Sequence, residues 1–383
     1  MESHSPERKQ PWRHLAVAGL GNIGSQLVPL LCRLGLSKLT LIDPDRYEEH
    51  NLAGQNILRS DIGKKKTAVC RRRSKRIDHQ LALETFEQEV QAVPLGKLRS
   101  ACLVSCLDSR LARQYVNESA WRLGIPWIDT AIDAAEQMVR VNVYPPAADA
   151  PCLECAWNTE DYAALETQYP CRPDTLPSVA PTAAPARLGA LAAALAATEC
   201  DKLLAGEHQW LLSGQQCLYN VRHHKQLLTS FRRRGDCRFD HATWNIEAHP
   251  CDVDDSTLPQ LLEDLTPAED HGQAVEIGIV AQPFAAALSC SDCGEQQQHV
   301  YCPVSRLSPA RRRCPRCMGK MKPRAIDRFD HIHLEQLPRS LRRRRLRSFG
   351  LRQGDVLSVR QGRQQRYVEL LPAVMRGAPA RSA

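Results

Sequence analysis

The sequence predicts an α/β protein: a Rossmann-like, doubly wound sheet, followed by a small Cys-rich module and a β-rich tail. Three observations predict it. Apolar strand patterns and helix patterns alternate from His14 to about Tyr144, as expected of parallel βαβ units covered on both faces. The first strand runs into a turn carrying Gly19, Gly21 and Gly24, and the second ends at Asp43, 19 residues past Gly24. Near the C-terminus two Cys-x2-Cys pairs stand twenty residues apart.

Taken in order, "LAVAGL" is an apolar strand and "LTLIDPD" a second. A basic helix starts at Gly63, and "LETFEQEV" and "ACLVSCLD" are further strands. Next come a helix through "RLARQYVNESAWRLG" and the strands "PWIDTA" and "MVRVNVYP". From Pro145 to about Pro185 the chain is Pro-rich and aperiodic, a length at which loops are functional or disordered. It ends at "ARLGALAAALAATECDKLLAG", an Ala/Leu helix expected to be largely buried. The chain thus divides into a flexible N-terminus (1–12), a nucleotide-binding domain (13–245) with a crossover loop at about 156–186, and an acidic linker (246–272). A Cys-rich module (273–323) and a basic appendage (324–383) with a strand pair in "DVLSVRQGRQQRYVELL" follow.

Composition narrows the function. A chain of 383 residues with 43% apolar content buries a large core. It has neither an apolar leader near its N-terminus nor a run of about 18 uncharged apolar residues, so a soluble, cytoplasmic protein without a membrane partner is expected. Sixteen cysteines, held reduced there, favour metal ligation or catalysis over disulfides. The net charge of +8 comes mostly from residues 64–76 and 339–347, read as solvated helix faces. With 5% aromatics there is little material for stacking bases, and nucleic acid is not an expected partner.

In the Gly-rich turn, Gly19 permits the tight bend, Gly21 lets backbone approach a phosphate and Gly24 lets the helix pack near the strand. Asp43 is placed to accept ribose hydroxyls. That much says only "adenine nucleotide". Asp45, Asn51, Leu52 and Gln55 are not needed for holding NAD. The sixteen cysteines sort by spacing. Cys290, Cys293, Cys314 and Cys317 match a zinc ribbon, with Cys302 surplus between them. Cys152 and Cys155 are half of another tetrahedral site, and Cys32, Cys102, Cys106 and Cys200 sit in apolar segments as packed core thiols. Cys171 stands alone in an irregular stretch and, on composition, is an ordinary loop cysteine.

The motifs "GLGNIG", "LIDPD", "NLxxQ", "DIGKKK", "CLD" with Arg113 five residues on, "PCLEC" and "LGALAAALAATECDKLLAG" occur in this order over about residues 14–241. In them the chain resembles the ubiquitin-activating-like adenylyltransferases, including the ThiF-type enzymes that charge sulfur carriers. It looks most like stand-alone bacterial members that activate ubiquitin-like proteins. The resemblance implies that residues 13–245 are an ATP-binding adenylation domain. It gives Asp43 the ribose, Lys66 the phosphates, Asn51 and Gln55 the neighbourhood of the triphosphate, and Asp108 the Mg2+, with Asp45 beside them. It also implies that Cys237 and His241 complete the zinc site begun by Cys152 and Cys155, with Asp240 as the alternative fourth ligand. Cys171 falls on the crossover loop that carries the nucleophile in thioester-forming members.

One departure stands out. The family arginine before the glutamine of "NLxRQ" is here Gly54, leaving Arg13, Arg59 or a partner subunit to neutralise phosphate. The expected function is ATP-dependent adenylation of the C-terminal glycine of a ubiquitin-like protein, then a thioester on Cys171 and transfer to a conjugating enzyme, by a homodimer with two Zn2+ sites. The competing expectations are a sulfur-carrier adenylyltransferase without the thioester, and a non-catalytic zinc-ribbon protein binding nucleotide or nucleic acid. An NAD-dependent oxidoreductase comes last.

Overall fold

The computed structural model describes residues 13–167, 184–266, 275–333 and 337–372. The chain forms two compact units, one of residues up to Val93 and from Leu98 to Thr243, the other of Pro94–Lys97 and the chain from Trp244 onward.

The first unit is built on an eight-stranded sheet of β1 (His14–Ala18), β2 (Lys38–Ile42), β3 (Ala82–Phe86), β4 (Cys102–Ser105), β5 (Trp127–Asp133), β6 (Met138–Tyr144), β7 (Gln215–Asn220) and β8 (Lys225–Ser230). Their order is β3-β2-β1-β4-β5-β6-β7-β8. The first five are parallel and the last three run antiparallel to their neighbours. Strands β1 and β4 are buried along their whole length, which is why both read as unbroken apolar runs. Helices α1 (Gly24–Leu31), α2 (Lys66–Ile77) and α3 (Arg110–Leu123) make the crossovers. The long helix α5 (Ala186–Ala205) packs on α1, and its Ala192, Ala193, Ala196 and Ala197 join Leu27, Val28 and Leu31 in one core. Small side chains let these two helices approach closely.

Within the stretch expected to be a loop, α4 (Thr159–Thr167) forms, entered through a reciprocal pair in which Asn158 and Asp161 each accept the other's backbone N–H at 3.0 Å. Its sequence has no apolar stripe to reveal it. Cys171 lies outside the described residues.

The expected linker at 246–272 is not one. Strand β9 (Ile246–Pro250) and helix α6 (Leu258–Leu265) belong to the second unit. That unit continues with β10 (Val275–Ile279), the short strands β11 (Phe284–Ala285), β12 (Leu288–Cys290), β13 (Gln296–Gln297), β14 (Cys302–Pro303), β15 (Met321–Lys322), β16 (Arg328–Phe329) and β17 (Ile332–His333), then α7 (Arg339–Arg342) and the hairpin β18 (Val356–Gln361) and β19 (Gln364–Leu371). A five-stranded sheet in the order β17-β10-β18-β19-β9 ties the three expected segments into one body. The reason is the spacing inside α6. Leu258, Leu261, Leu262 and Leu265 fall on one helical face and all are buried in the core of this sheet, while the acids that gave the segment its linker-like composition face outward. The Cys-rich module is a small body around Leu288, Val300, Leu307 and Met321, with its own three-stranded sheet β13-β12-β15.

No described helix is long and apolar enough to cross a membrane. All fifteen described cysteines carry free thiols.

Candidate nucleotide site and cysteine clusters

In the parallel part of the first sheet, strand order reverses between β1 and β4, and ligands of such sheets bind at the carboxyl ends of the strands at that point. A cavity of about 470 Å3 opens there. The turn after β1 is shaped by glycine twice. Gly19 has φ +91°, and a Cβ on it would stand 2.4 Å from the Cys106 carbonyl oxygen; one on Gly24 would stand 2.0 Å from the Gly19 oxygen. Gly21 is different: its Cβ would meet only Gln55 Nε2, at 3.9 Å, so the missing side chain leaves space in the cavity itself. That cradle is what a phosphate beside a helix N-terminus requires.

Asp43, Asp45, Asn51, Gln55, Lys66 and Asp108 all line this cavity. Asp43 is held at the end of β2 by the Leu20 N–H at 2.7 Å and the Asp45 N–H at 2.9 Å. Burial pushes its carboxyl above the usual range, and Lys66 opposes that shift. Lys66, the first residue of α2, places Nζ 3.0 Å from Asp45 and 3.9 Å from Asp43. Its side chain is only 9% exposed, so the ammonium is directed into the cavity by the packing around it. Asn51 Oδ1 accepts the Glu48 N–H at 2.8 Å and so shapes its own turn. Gln55 Oε1 is buried with no hydrogen-bond partner among the described residues, an acceptor the fold alone does not satisfy.

Two further residues shape the site, Glu89, which no motif marks, and Arg113, to which the motif assigned no role. Glu89 also lines the cavity, and burial, followed by Asp45, Asp43 and Asp108, pushes its carboxyl up. Asp43, Asp45, Glu89 and Asp108, with the exposed Glu48, therefore share one space with one buried ammonium, and the donor set is of the hard oxygen type that Mg2+ takes. Arg113, in the first turn of α3, donates to the Leu107 carbonyl from Nε at 3.0 Å and Nη2 at 2.5 Å, and lies 3.5 Å from buried Asp129. With Ser109 capping α3, this tethers both neighbours of Asp108.

Neither arginine expected to replace the one missing at Gly54 lines the cavity. Arg13 is spent on the carbonyls of Leu34 and Gly35, and Arg59 pairs with Glu49 at the surface. The cations that do line it are Lys66, Arg46 and Arg113, with His50. The glycine has a steric cause: a Cβ on Gly54 would lie 2.6 Å from the Ala184 oxygen and 2.7 Å from Asn22 Nδ2, itself bonded to Ala184 at 2.5 Å. Gly54→Arg is therefore expected to destabilise by about 1–3 kcal/mol through overpacking. Thermal unfolding checks this, and an unchanged midpoint would contradict it.

Two cysteine clusters have metal-site geometry. Tetrahedral Zn2+ with Zn–S bonds of about 2.3 Å would set its sulfurs about 3.8 Å apart. Cys152 Sγ lies 3.8 Å from both Cys155 and Cys237, and Cys155 Sγ lies 3.2 Å from His241 Nε2. In the second unit Cys290 and Cys317, and Cys293 and Cys314, are each 3.5 Å apart. Within each set all four donor atoms lie within 4.8 Å of one another. Both Cys-x2-Cys turns of the second unit's cluster bend the same way, through residues at positive φ, Gly294 and Met318, directly after the second cysteine. Asp240, the alternative ligand, is not in the first set. Its carboxylate is taken by Arg122 at 2.5 Å and the Ala242 N–H at 3.0 Å. Of the expected core thiols, Cys106 is half-buried and lines the nucleotide cavity, but burial pushes it up to about 12, so it stays protonated.

The pattern of the ThiF family matches residues 10–238, well over half of the chain. The chain belongs to the ThiF family. Among the relatives of this ThiF chain is ubiquitin-like modifier-activating enzyme 5 of Oryza sativa subsp. japonica, 25% identical over 157 residues, which are 37% of either chain. The enzyme of the same name from Dictyostelium discoideum is 24% identical over 153 residues, 36% of this chain and 40% of that one. The ThiF chain thus spans well under half the length of these relatives. The crystal structure of Escherichia coli MccB shares the fold, with a TM-score of 0.50 and 19% identity over 64% of this chain and 69% of that one.

Proposed function

We infer that the protein is an adenylyltransferase that uses ATP to activate the C-terminal carboxylate of a ubiquitin-like protein, as the names of its relatives suggest. The observation that carries this reading is the cavity at the β1/β4 switch point, where the glycine cradle, Lys66 and the carboxylates of Asp43, Asp45, Glu89 and Asp108 converge. A nicotinamide cofactor needs the first and Asp43 but not the rest.

In this reading Asp43 accepts the ribose hydroxyls and the amides of the Gly-rich turn take the phosphates. Lys66 exchanges Asp45 for phosphate oxygen, and Asn51 and Gln55 bind beside it. Asp108, Asp45 and Glu89 would hold Mg2+, which supplies charge neutralisation at the triphosphate. A carboxylate oxygen of the carrier attacks the α-phosphorus, the bond to the β-phosphate oxygen breaks, and pyrophosphate leaves. Lys66 opposes the charge that builds on the α-phosphate.

Thioester formation is the second step proposed: the Cys171 thiolate attacks the acyl carbon, AMP leaves, and the carrier passes to a conjugating enzyme. Ala184 lines the nucleotide cavity, and thirteen extended residues reach at most about 45 Å. Cys171→Ala is expected to keep ATP–pyrophosphate exchange and to lose the reductant-sensitive covalent adduct on a non-reducing gel. An adduct that survives the substitution would take the nucleophile's role from Cys171, and a wild-type enzyme that never forms one would leave adenylation alone, as in sulfur-carrier chemistry. We further propose that both cysteine clusters bind structural Zn2+, supported by their sulfur spacing, and that the enzyme acts as a cytoplasmic homodimer.

A further inference from the structure

The loop between β2 and α2 places one more guanidinium at the nucleotide cavity, that of Arg46. The backbone on both sides of it is fastened. Just before it, the Asp45 carbonyl accepts the Lys66 N–H at 3.0 Å; just after it, the Tyr47 N–H donates to the Lys64 carbonyl at 3.0 Å and the Tyr47 carbonyl accepts the Gly63 N–H at 2.8 Å. Arg46 itself pairs with Lys65 in an antiparallel bridge, and Gly63, at φ +81°, makes the left-handed bend that brings the chain back alongside. The buried Tyr47 ring reaches the glycine-rich turn, its hydroxyl donating to the Leu20 carbonyl at 3.3 Å. Position 46 is therefore tied both to the first residue of α2 and to the turn after β1.

The cations of this cavity differ in what already holds them. Lys66 stands 3.0 Å from Asp45 and 3.9 Å from Asp43. Arg113 spends its donors on the Leu107 and Thr130 carbonyls and lies 3.5 Å from Asp129. His50 is 3.4 Å from Glu48. Arg46 makes a single hydrogen bond, from Nη1 to the Gly63 carbonyl at 2.8 Å, and has no carboxylate partner among the described residues. The acids that line the cavity, Asp43, Asp45, Glu48, Glu89 and Asp108, outnumber its lysine and arginines. A triphosphate entering there adds negative charge where it is already in excess, and an uncommitted guanidinium is what the site has to set against it. Position 54 cannot supply one, because Ala184 closes it to any side chain.

We propose that Arg46 is a phosphate ligand of this site: its side chain leaves the Gly63 carbonyl and grips the triphosphate with both prongs of its fork. The inference rests on the reading of the cavity as an ATP site and adds to it a residue that sets affinity for the phosphates. The exchange is favourable because a bond to a neutral carbonyl gives way to charge-assisted bonds to phosphate oxygen. Arg46 is exposed, so the movement opens no buried gap.

Calorimetric titration of the intact chain with MgATP, in the absence of any carrier protein, tests this. Arg46→Gln is expected to weaken MgATP binding about tenfold or more. Without nucleotide its unfolding midpoint should barely move, because one exposed hydrogen bond is all that the substitution removes. Arg46→Lys keeps the charge and is expected to bind MgATP more tightly than Arg46→Gln. Arg59→Gln, which removes a like charge from the same loop outside the cavity, should bind as wild type does. No MgATP binding by wild type would sink the ATP reading and this inference with it. Wild-type affinity in Arg46→Gln, with Lys66→Gln still weakened, would overturn the role of Arg46 alone. So would an equal loss in Arg59→Gln, which would make the effect one of general charge, or an Arg46→Lys variant that binds no better than Arg46→Gln.

Discussion

Asp108→Ala is expected to lower ATP–pyrophosphate exchange by roughly a thousandfold, about 4 kcal/mol of transition-state stabilisation. Asp108 is exposed at the cavity, while its neighbours carry the structural bonds: Leu107 is held by Arg113 and Ser109 caps α3. Removing its carboxylate therefore takes away the proposed cation ligand without removing a strut, and the unfolding midpoint should barely move. The companion substitution Asp129→Asn separates position from chemistry. Asp129 is fully buried against Arg140 at 2.7 Å and Arg113 at 3.5 Å, so its loss should cost stability first and exchange only through the loosened Leu107. If Asp108→Ala kept full exchange, Mg2+ would have to be held by other carboxylates in the cavity.

The second large effect concerns metal. Protein purified without chelator is expected to carry two zinc ions per chain, and Cys155→Ser or Cys314→Ser to leave one. Cys155 packs with Trp121 and Phe239 in a small cluster of its own, so its site has few apolar contacts to fall back on. Taking the ion's contribution there as about 4 kcal/mol, the first unit's melting midpoint should drop by roughly 8–16 °C. Elemental analysis and calorimetry read the two quantities independently. One ion in wild type would refute one ligand set, and the substitution that leaves the count unchanged would say which. A truncation near residue 272 would be a poor test, because it cuts between α6 and β10 inside the second unit.

That Asp43, Asp45, Asn51, Gln55, Lys66 and Asp108 line one cavity was legible because its parts obey local rules: glycine spacing reports backbone geometry, and a strand-end acid reports the sheet's carboxyl edge. Glu89 obeys no such rule. It lies three residues past the end of β3 in a polar run, and only the closing of β2 on β3 brings it beside Asp43. Arg113 was visible in the motif, but its duty as a tether depends on Asp129, sixteen residues on and on strand β5. The domain boundary failed for a different reason. Net acidity at 246–272 hid four leucines at helical spacing, and periodicity, not charge, decides whether a segment has a face to bury. The missing arginine at Gly54 read as a role passed to Arg13, Arg59 or a partner subunit, whereas the contact with Ala184 makes the glycine a packing requirement.

The most direct test of the central claim is titration of the intact chain with MgATP and with NAD. The account predicts saturable MgATP binding that Lys66→Gln weakens at least tenfold, about 1.4 kcal/mol, with no comparable NAD binding. A preference for NAD, or MgATP binding indifferent to Lys66, would contradict it.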